Sequence, residues 1–252
     1  MTTFANRKDA GMRLADAIST FLAGSDIVSS GPSASTSHPF ASDMVIKPSA
    51  DLTKTQPNPD VLVLALPRGG LPVAAPIAER LGAELDLMIV RKLGLPWHPE
   101  LAMGAITTGG IRVLNDDVIA MSRVTDSEIE QVEQSEREEL HRRESTYRQG
   151  RPTPVIEDRT VILVDDGIAT GATMMAAIDS VLSQKPHRLL VAVPVAPEAV
   201  VAGISTKVDK VICLATPRDF LAISRWYDDF TQTTDSEVKA LLANTWKHQQ
   251  RH

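Results

Sequence analysis

Two kinds of apolar spacing alternate along this chain, and their order predicts its architecture. Over residues 7–22, Met12, Leu14, Ala15, Ile18 and Leu22 recur at helical spacing, which predicts an amphipathic helix lying on the rest of the molecule. Short apolar runs at 61–66, 85–90, 160–164, 189–193 and 208–214 have the length and composition of strands buried on both faces. Helical spacing returns between them at 72–81, up to about 182, and at about 197–205. Repeated strand–helix alternation predicts an α/β fold with a doubly wound, mostly parallel sheet and right-handed crossovers. The apolar stretches 102–107 and 111–114 flank Gly109-Gly110 and read as a hairpin. Residues 125–148 are dense in glutamate and arginine with sparse apolar positions such as Ile129, Val132 and Leu140. They predict a long, mostly solvated helix whose charges pair along its own surface. A further helix is expected at 236–246.

One segment breaks the pattern. Between residues 25 and 60, Ser29, Ser30, Pro32, Ser33, Ser35, Ser37, Pro39, Pro48, Pro57 and Pro59 interrupt any periodicity. Such a stretch buries too little apolar surface to offset its ordering entropy, so it is expected to be a mobile insertion. The expected organisation is a helix within 1–24, the insertion at 25–60, a core at 61–215 and a C-terminal extension at 216–252.

Composition narrows the function classes. The chain has 252 residues, 43% of them apolar, which suits one α/β domain with attachments. Its net charge of −6 argues against a general nucleic-acid binder, while leaving room for an anionic ligand held by a few local donors. The single cysteine, Cys213, excludes an intrachain disulfide and sits in an apolar run as a packed thiol. The first nine residues lack an apolar signal core, and no apolar run approaches the roughly 20 residues of a membrane span. A cytoplasmic location without membrane partners is the expectation.

The chemistry concentrates in Val161-Ile162-Leu163-Val164-Asp165-Asp166-Gly167-Ile168-Ala169-Thr170-Gly171-Ala172-Thr173. An apolar strand delivers two carboxylates to the edge where open α/β sheets bind ligands. Gly167 and Gly171 permit tight turns, Ala169 and Ala172 keep bulk away, and Thr170 and Thr173 add hydroxyls. Successive amide N–H groups ahead of a helix form an anion-binding nest. Carboxylates beside a phosphate nest suit a sugar phosphate. The loop lacks the lysine of a P-loop, and no Gly-x-Gly-x-x-Gly fingerprint occurs in the chain. A second turn, Leu66-Pro67-Arg68-Gly69-Gly70, follows a predicted strand and opens on the same edge.

The 161–173 segment resembles the phosphoribosyl pyrophosphate (PRPP) signature of type I phosphoribosyltransferases. The order Leu-Pro-Arg-Gly-Gly, Val-Arg-Lys-Leu-Gly, Pro-Glu-Leu-Ala-Met-Gly-Ala and Val-Asp-Asp-Gly-Ile-Ala-Thr-Gly-Ala-Thr is similar to one branch of predicted members with unassigned acceptors. The resemblance covers about 7–22 and 61–242, including Trp226-Tyr227-Asp228-Asp229-Phe230, and the 25–60 segment departs from it. It implies that Asp165 and Asp166 hold the ribose hydroxyls and that Gly167, Ala169, Thr170, Gly171, Ala172 and Thr173 hold the 5′-phosphate. Arg68, Gly69 and Gly70 would bind pyrophosphate through an unusual backbone conformation, and Arg91 and Lys92, leaving a strand end, would neutralise it. Arg68 and Lys92 would be the catalytic cations, with no protein nucleophile. Mg²⁺ would be held mainly by the substrate, near Asp165 and Asp166, with no firm protein ligand. The small hood over such a site would choose a nucleobase-like small-molecule acceptor. Trp97 is placed either to stack on a base or to pack its own loop, and His98 has no partner evident in sequence. Trp226 and Tyr227 either cover the cleft or pin the chain end to the core. A homodimer is the default assembly. A PRPP-binding regulator without transferase activity is the alternative reading, although neither a helix-turn-helix nor a basic face is evident.

Overall fold

The structure is a computed structural model that describes residues 3–28 and 58–249. Most of the expected insertion at 25–60 therefore lies outside the described residues. Its two borders are regular: helix α1 runs through Arg7–Val28, and strand β1 begins with Asn58–Ala65. Asp26, Ile27 and Val28 carry no helix breaker, so α1 continues past the predicted end at 22.

The central sheet contains β1, β2 (Ala83–Leu87), β6 (Thr160–Val164), β7 (Arg188–Val195) and β8 (Lys210–Ala215) in the order β2-β1-β6-β7-β8, all parallel. Alternation along each strand sends side chains to two different layers. Val61, Val63 and Ala65 join the core under α1, α2 (Gly70–Leu81) and α7 (Asp235–Gln249). Leu62, Leu64 and Leu66 join the opposite core, under α5 (Ala172–Leu182) and α6 (Glu198–Ser205). Both faces are covered, which is why the strands read as continuous apolar runs. Helices α1 and α2 approach closely at Gly11, where an added Cβ would lie 2.3 Å from the Val73 carbonyl oxygen.

A smaller antiparallel sheet, β3 (Val90–Leu95), β4 (His98–Thr107) and β5 (Ile111–Leu114), stands beside the main one. The predicted strand at 85–90 is divided between the two sheets. After Leu87 the Met88 amide bonds to the Ala65 carbonyl and the Ile89 amide to the Thr108 hydroxyl, so the chain swings out of one ladder into the other. Thr107 on β4 and Ser180 on α5 share a 2.5 Å hydroxyl contact that ties the small sheet to the central layer. A short helix, α3 (Asp116–Ser122), was not anticipated, and α4 (Asp126–Arg148) packs on the small sheet through Ile129 and Leu140. The start of α4 carries a Thr125–Glu128 capping box. Its exposed charges pair locally: Glu133 with Arg137 and Arg112, and Glu139 with Arg142 and Arg143. At its last residue the pattern changes, because Arg148 is buried and bonds Asp86 at 2.7 Å.

Among the described residues no helix is long and apolar enough to cross a membrane.

Candidate active site

Neighbouring strands β1 and β6 lead in opposite directions along the sheet, β1 toward β2 and β6 toward β7. The turns that leave their carboxyl ends therefore open a crevice at the topological switch point, where open α/β sheets take ligands. Residues 66–70 form one wall and 165–171 the other.

The walls touch. The Pro67–Arg68 peptide bond is cis, and Gly69 is the N-cap of α2 at φ −64°. That φ suits any residue, so room explains the glycine. A Cβ on Gly69 would lie 2.0 Å from Asp166 Oδ2, and one on Gly70 would lie 2.6 Å from the Val164 carbonyl oxygen. Asp165 and Asp166 thus face the 67–70 turn, and Ala169 and Thr170 are exposed to solvent.

Each aspartate has one oxygen held by the chain. Asp165 Oδ1 accepts from the Asp166 amide at 2.8 Å, and Asp166 Oδ2 accepts from Arg7 Nε at 2.7 Å. Among the described residues Asp165 Oδ2 accepts no hydrogen bond, and the Asp166 carboxylate has only its own backbone amide as a donor besides Arg7. Burial holds Asp165 well above the usual carboxylate range, and the adjacent Asp166 carboxylate pushes the same way. Asp166 is raised too: burial dominates, and the Arg7 guanidinium offsets only part of it. Two adjacent carboxylates partly withdrawn from solvent favour a ligand that brings hydroxyl donors or positive charge.

Gly167 allows close approach, since a Cβ there would sit 2.7 Å from Ile223 Cγ2. Gly171, at φ +83°, caps α5 in a left-handed conformation. The Ile168 amide is occupied by the Val195 carbonyl. Ala169, Thr170, Gly171, Ala172 and Thr173 donate no backbone hydrogen bond among the described residues, which leaves a run of amides open to an anion.

The cations are arranged less uniformly. Half-exposed Arg68 reaches Asp235 at 3.6 Å, and Asp235 also accepts the Tyr147 hydroxyl at 2.7 Å. Burial and the Asp235 contact push the Tyr147 phenol up to about 12. Arg91 and Lys92 lie within β3 rather than past a strand end. Arg91 is paired with Glu136 on α4 at 2.6 Å, while Lys92 is exposed and forms no ion pair among the described residues. Trp97 and His98 are exposed at the β3–β4 tip. Cys213 is half-buried, with its thiol donating to the Ala215 carbonyl.

Two partners of the crevice, Arg7 and Asp235, escaped the sequence reading, and a third, Tyr227, was read as covering the cleft or pinning the chain. Arg7, at the start of α1, is 9% exposed and reaches Asp166. Tyr227 donates its hydroxyl to the Asp166 carbonyl at 2.6 Å, and Asp235 engages Arg68. Trp226 and Tyr227 are buried with Phe4, so these aromatics pin the two ends of the chain together. The visible signal was the Trp-Tyr-Asp-Asp-Phe run, which left open whether its aromatics cover the cleft or pack; Tyr227 packs and also reaches the Asp166 carbonyl. A cleft of about 480 Å³ lined by Asn6, Arg7, Gln232 and Glu237 adjoins the site through the Arg7 side chain.

Comparison with known proteins places the chain in a family. Residues 36–223 match the phosphoribosyl transferase domain family. Two Mycobacterium tuberculosis proteins, named "Putative phosphoribosyl transferase MT0597" and "Putative phosphoribosyl transferase Rv0571c", are 46% identical over 182 residues. That alignment covers 72% of this chain and 41% of theirs, so the chain spans about two fifths of those relatives' length. The crystal structure of TT1426 from Thermus thermophilus superposes with a TM-score of 0.74 at 35% identity, covering 96% of this chain and 98% of that one.

Proposed function

Since this chain belongs to the phosphoribosyl transferase domain family, we propose that it transfers a phosphoribosyl group from PRPP to a nucleobase-like acceptor and releases pyrophosphate. One observation carries the reading. Asp165 and Asp166 follow one another at the end of β6, each carboxylate engaged by the chain through only part of its accepting capacity, next to a run of open amides. A ribose presents two adjacent hydroxyls and, beyond them, a 5′-phosphate. The acids would take the hydroxyls, and residues 169–173 would take the phosphate.

In this reading an acceptor nucleophile attacks ribose C1 while the C1–O bond to pyrophosphate breaks and its electron pair leaves with the pyrophosphate. Positive charge develops on the ring and negative charge on the leaving group. The chain's contribution is positioning and preorganised charge. Gly69 and Gly70 bring the turn that would bind pyrophosphate against Asp165, Asp166 and the Val164 carbonyl, and Arg68 and Lys92 supply positive charge at the turn and the small sheet. No covalent protein intermediate is required.

Among the described residues no group of three or more His, Cys, Asp or Glu is placed to hold a metal. The donor set fits a Mg²⁺ coordinated mainly by the substrate's own oxygens beside Asp165 and Asp166, where it would offset charge on the departing pyrophosphate. The small sheet, with exposed Trp97 at its tip, is the part of the chain we assign to the acceptor.

Calorimetry with PRPP and Mg²⁺ tests the proposal. The Asp165→Asn/Asp166→Asn double variant should fold and bind no PRPP, and native-like affinity would end the ribose assignment. Labelled PRPP offered with a panel of bases should release pyrophosphate with at least one. Tight PRPP binding without release for any acceptor would make the chain a PRPP-binding regulator instead.

A further inference from the structure

Arg7 belongs to α1, far in sequence from every motif of the crevice, yet it reaches the bottom of it. Its Nε donates to Asp166 Oδ2 at 2.7 Å and its Nη1 to the Thr231 carbonyl at 2.7 Å. The guanidinium carbon stands 3.9 Å from the centroid of the Phe230 ring. Phe230 is held in turn by Tyr227, centroid to centroid 5.0 Å, and Tyr227 by Phe4 at 5.4 Å. The backbone is stitched at the same place: Phe4 N–H donates to Trp226 and Asp228 N–H to Phe4, both at 2.8 Å. A planar group with two fixed acceptors and one face against a ring has little freedom left.

We propose that Arg7 is a positioning residue for the sugar-binding acid Asp166, set in place by the aromatic clamp of Phe4, Tyr227 and Phe230. The proposal rests on the ribose reading above. By taking Oδ2, Arg7 leaves Oδ1 as the oxygen available to a sugar hydroxyl. The Tyr227 hydroxyl holds the Asp166 carbonyl at 2.6 Å and so restrains the backbone from which that carboxylate projects. Gly69 closes the remaining side, because a Cβ added there would lie 2.0 Å from Oδ2. The acid is gripped from α1, from the 226–231 segment and from the 67–70 turn. A buried ion pair by itself adds little net stability, since desolvation of both charges consumes most of their attraction. Its effect here is on where the free oxygen points.

A double-mutant cycle read by calorimetry separates positioning from mere support. PRPP and inorganic pyrophosphate, each with Mg²⁺, are titrated into the native chain, Arg7→Met, Arg7→Lys, Asp166→Asn and the Arg7→Met/Asp166→Asn double variant. Arg7→Met should bind PRPP about tenfold more weakly or worse, the factor expected for one lost charge-assisted hydrogen bond. Its affinity for pyrophosphate, which has no ribose, should stay unchanged. Once Asp166 is asparagine, removing Arg7 should weaken PRPP no further. Arg7→Lys keeps the charge but reaches one acceptor at a time, so it should recover part of the affinity; if Arg7→Met does not fold, this variant decides. Equal weakening of both ligands, full multiplication of the two single effects, or native PRPP affinity in the Arg7 variants would overturn the proposal. Native PRPP affinity in Asp166→Asn would instead remove the ribose reading beneath it.

Discussion

Replacing Gly69 by alanine isolates the contact between the two walls of the crevice. The backbone there, at φ −64° and ψ −32°, accepts alanine without strain, so any effect must come from the added methyl. The methyl carbon would fall 2.0 Å from Asp166 Oδ2 and 2.6 Å from its Cγ, whereas ordinary contact begins near 3.4 Å. The carboxylate has to retreat by about 1.4 Å or the turn has to open. A retreat of that size disturbs the 2.7 Å bond to Arg7, and opening the turn separates the walls. Overpacking of this kind costs about 1–3 kcal/mol. For a chain of this length, each kcal/mol lowers Tm by roughly 2–4 °C. Calorimetry should therefore show a depressed Tm together with weakened PRPP binding. Gly203→Ala is the matched control: it lies in α6 with nothing within 4 Å of the new Cβ, and it should be neutral or slightly stabilising. A Gly69→Ala chain that melts and binds PRPP like the native one would refute the argument that Asp166 is pressed against this turn.

Two more tests address the frame around the site. Burial outweighs the Arg148 contact and pushes Asp86 from 3.8 up to about 6, so the folded chain binds this proton more tightly than the unfolded one. Its contribution to stability is complete below about pH 4 and is lost as pH rises through about 6. The native-minus-Asp86→Asn difference in unfolding free energy, from urea melts, should fall by about 2 kcal/mol between pH 4 and 7. A flat or rising difference would mean that the ion pair outweighs burial. Tyr227→Phe removes the 2.6 Å bond to the Asp166 carbonyl and leaves that oxygen without its donor, which should cost about 1–3 kcal/mol. An unchanged Tm would show that water replaces the phenol.

The layered architecture was legible because both faces of the sheet are covered, so every central strand is an apolar run that periodicity can find. The 161–173 segment was legible for a different reason: strand, acids, loop and helix follow one another without a gap, and local spacing carries the geometry. What stayed hidden depends on contacts between distant segments. Nothing around Arg7 distinguishes it from the other cations of an amphipathic helix, because its burial is decided by Phe230 and Asp166. The 85–90 run could not reveal its division, since the break follows from Met88 and Ile89 bonding to Ala65 and Thr108. Arg91 illustrates the same limit. Its position beside Lys92 suggested a shared target, but Glu136, on a helix that begins more than thirty residues later, takes it up.

The join between α1 and the 226–231 segment has a temporal consequence. Arg7 and Asp166 are 159 positions apart, and Arg7 and Thr231 are 224 apart, so closing these contacts requires most of the chain to be already ordered. During synthesis α1 leaves the ribosome well before Asp166 and the 226–231 segment, and its contacts must wait for them. A chain with its sheet complete would still lack the grip on Asp166, and if that acid takes the ribose as proposed, PRPP binding should arrive late in folding.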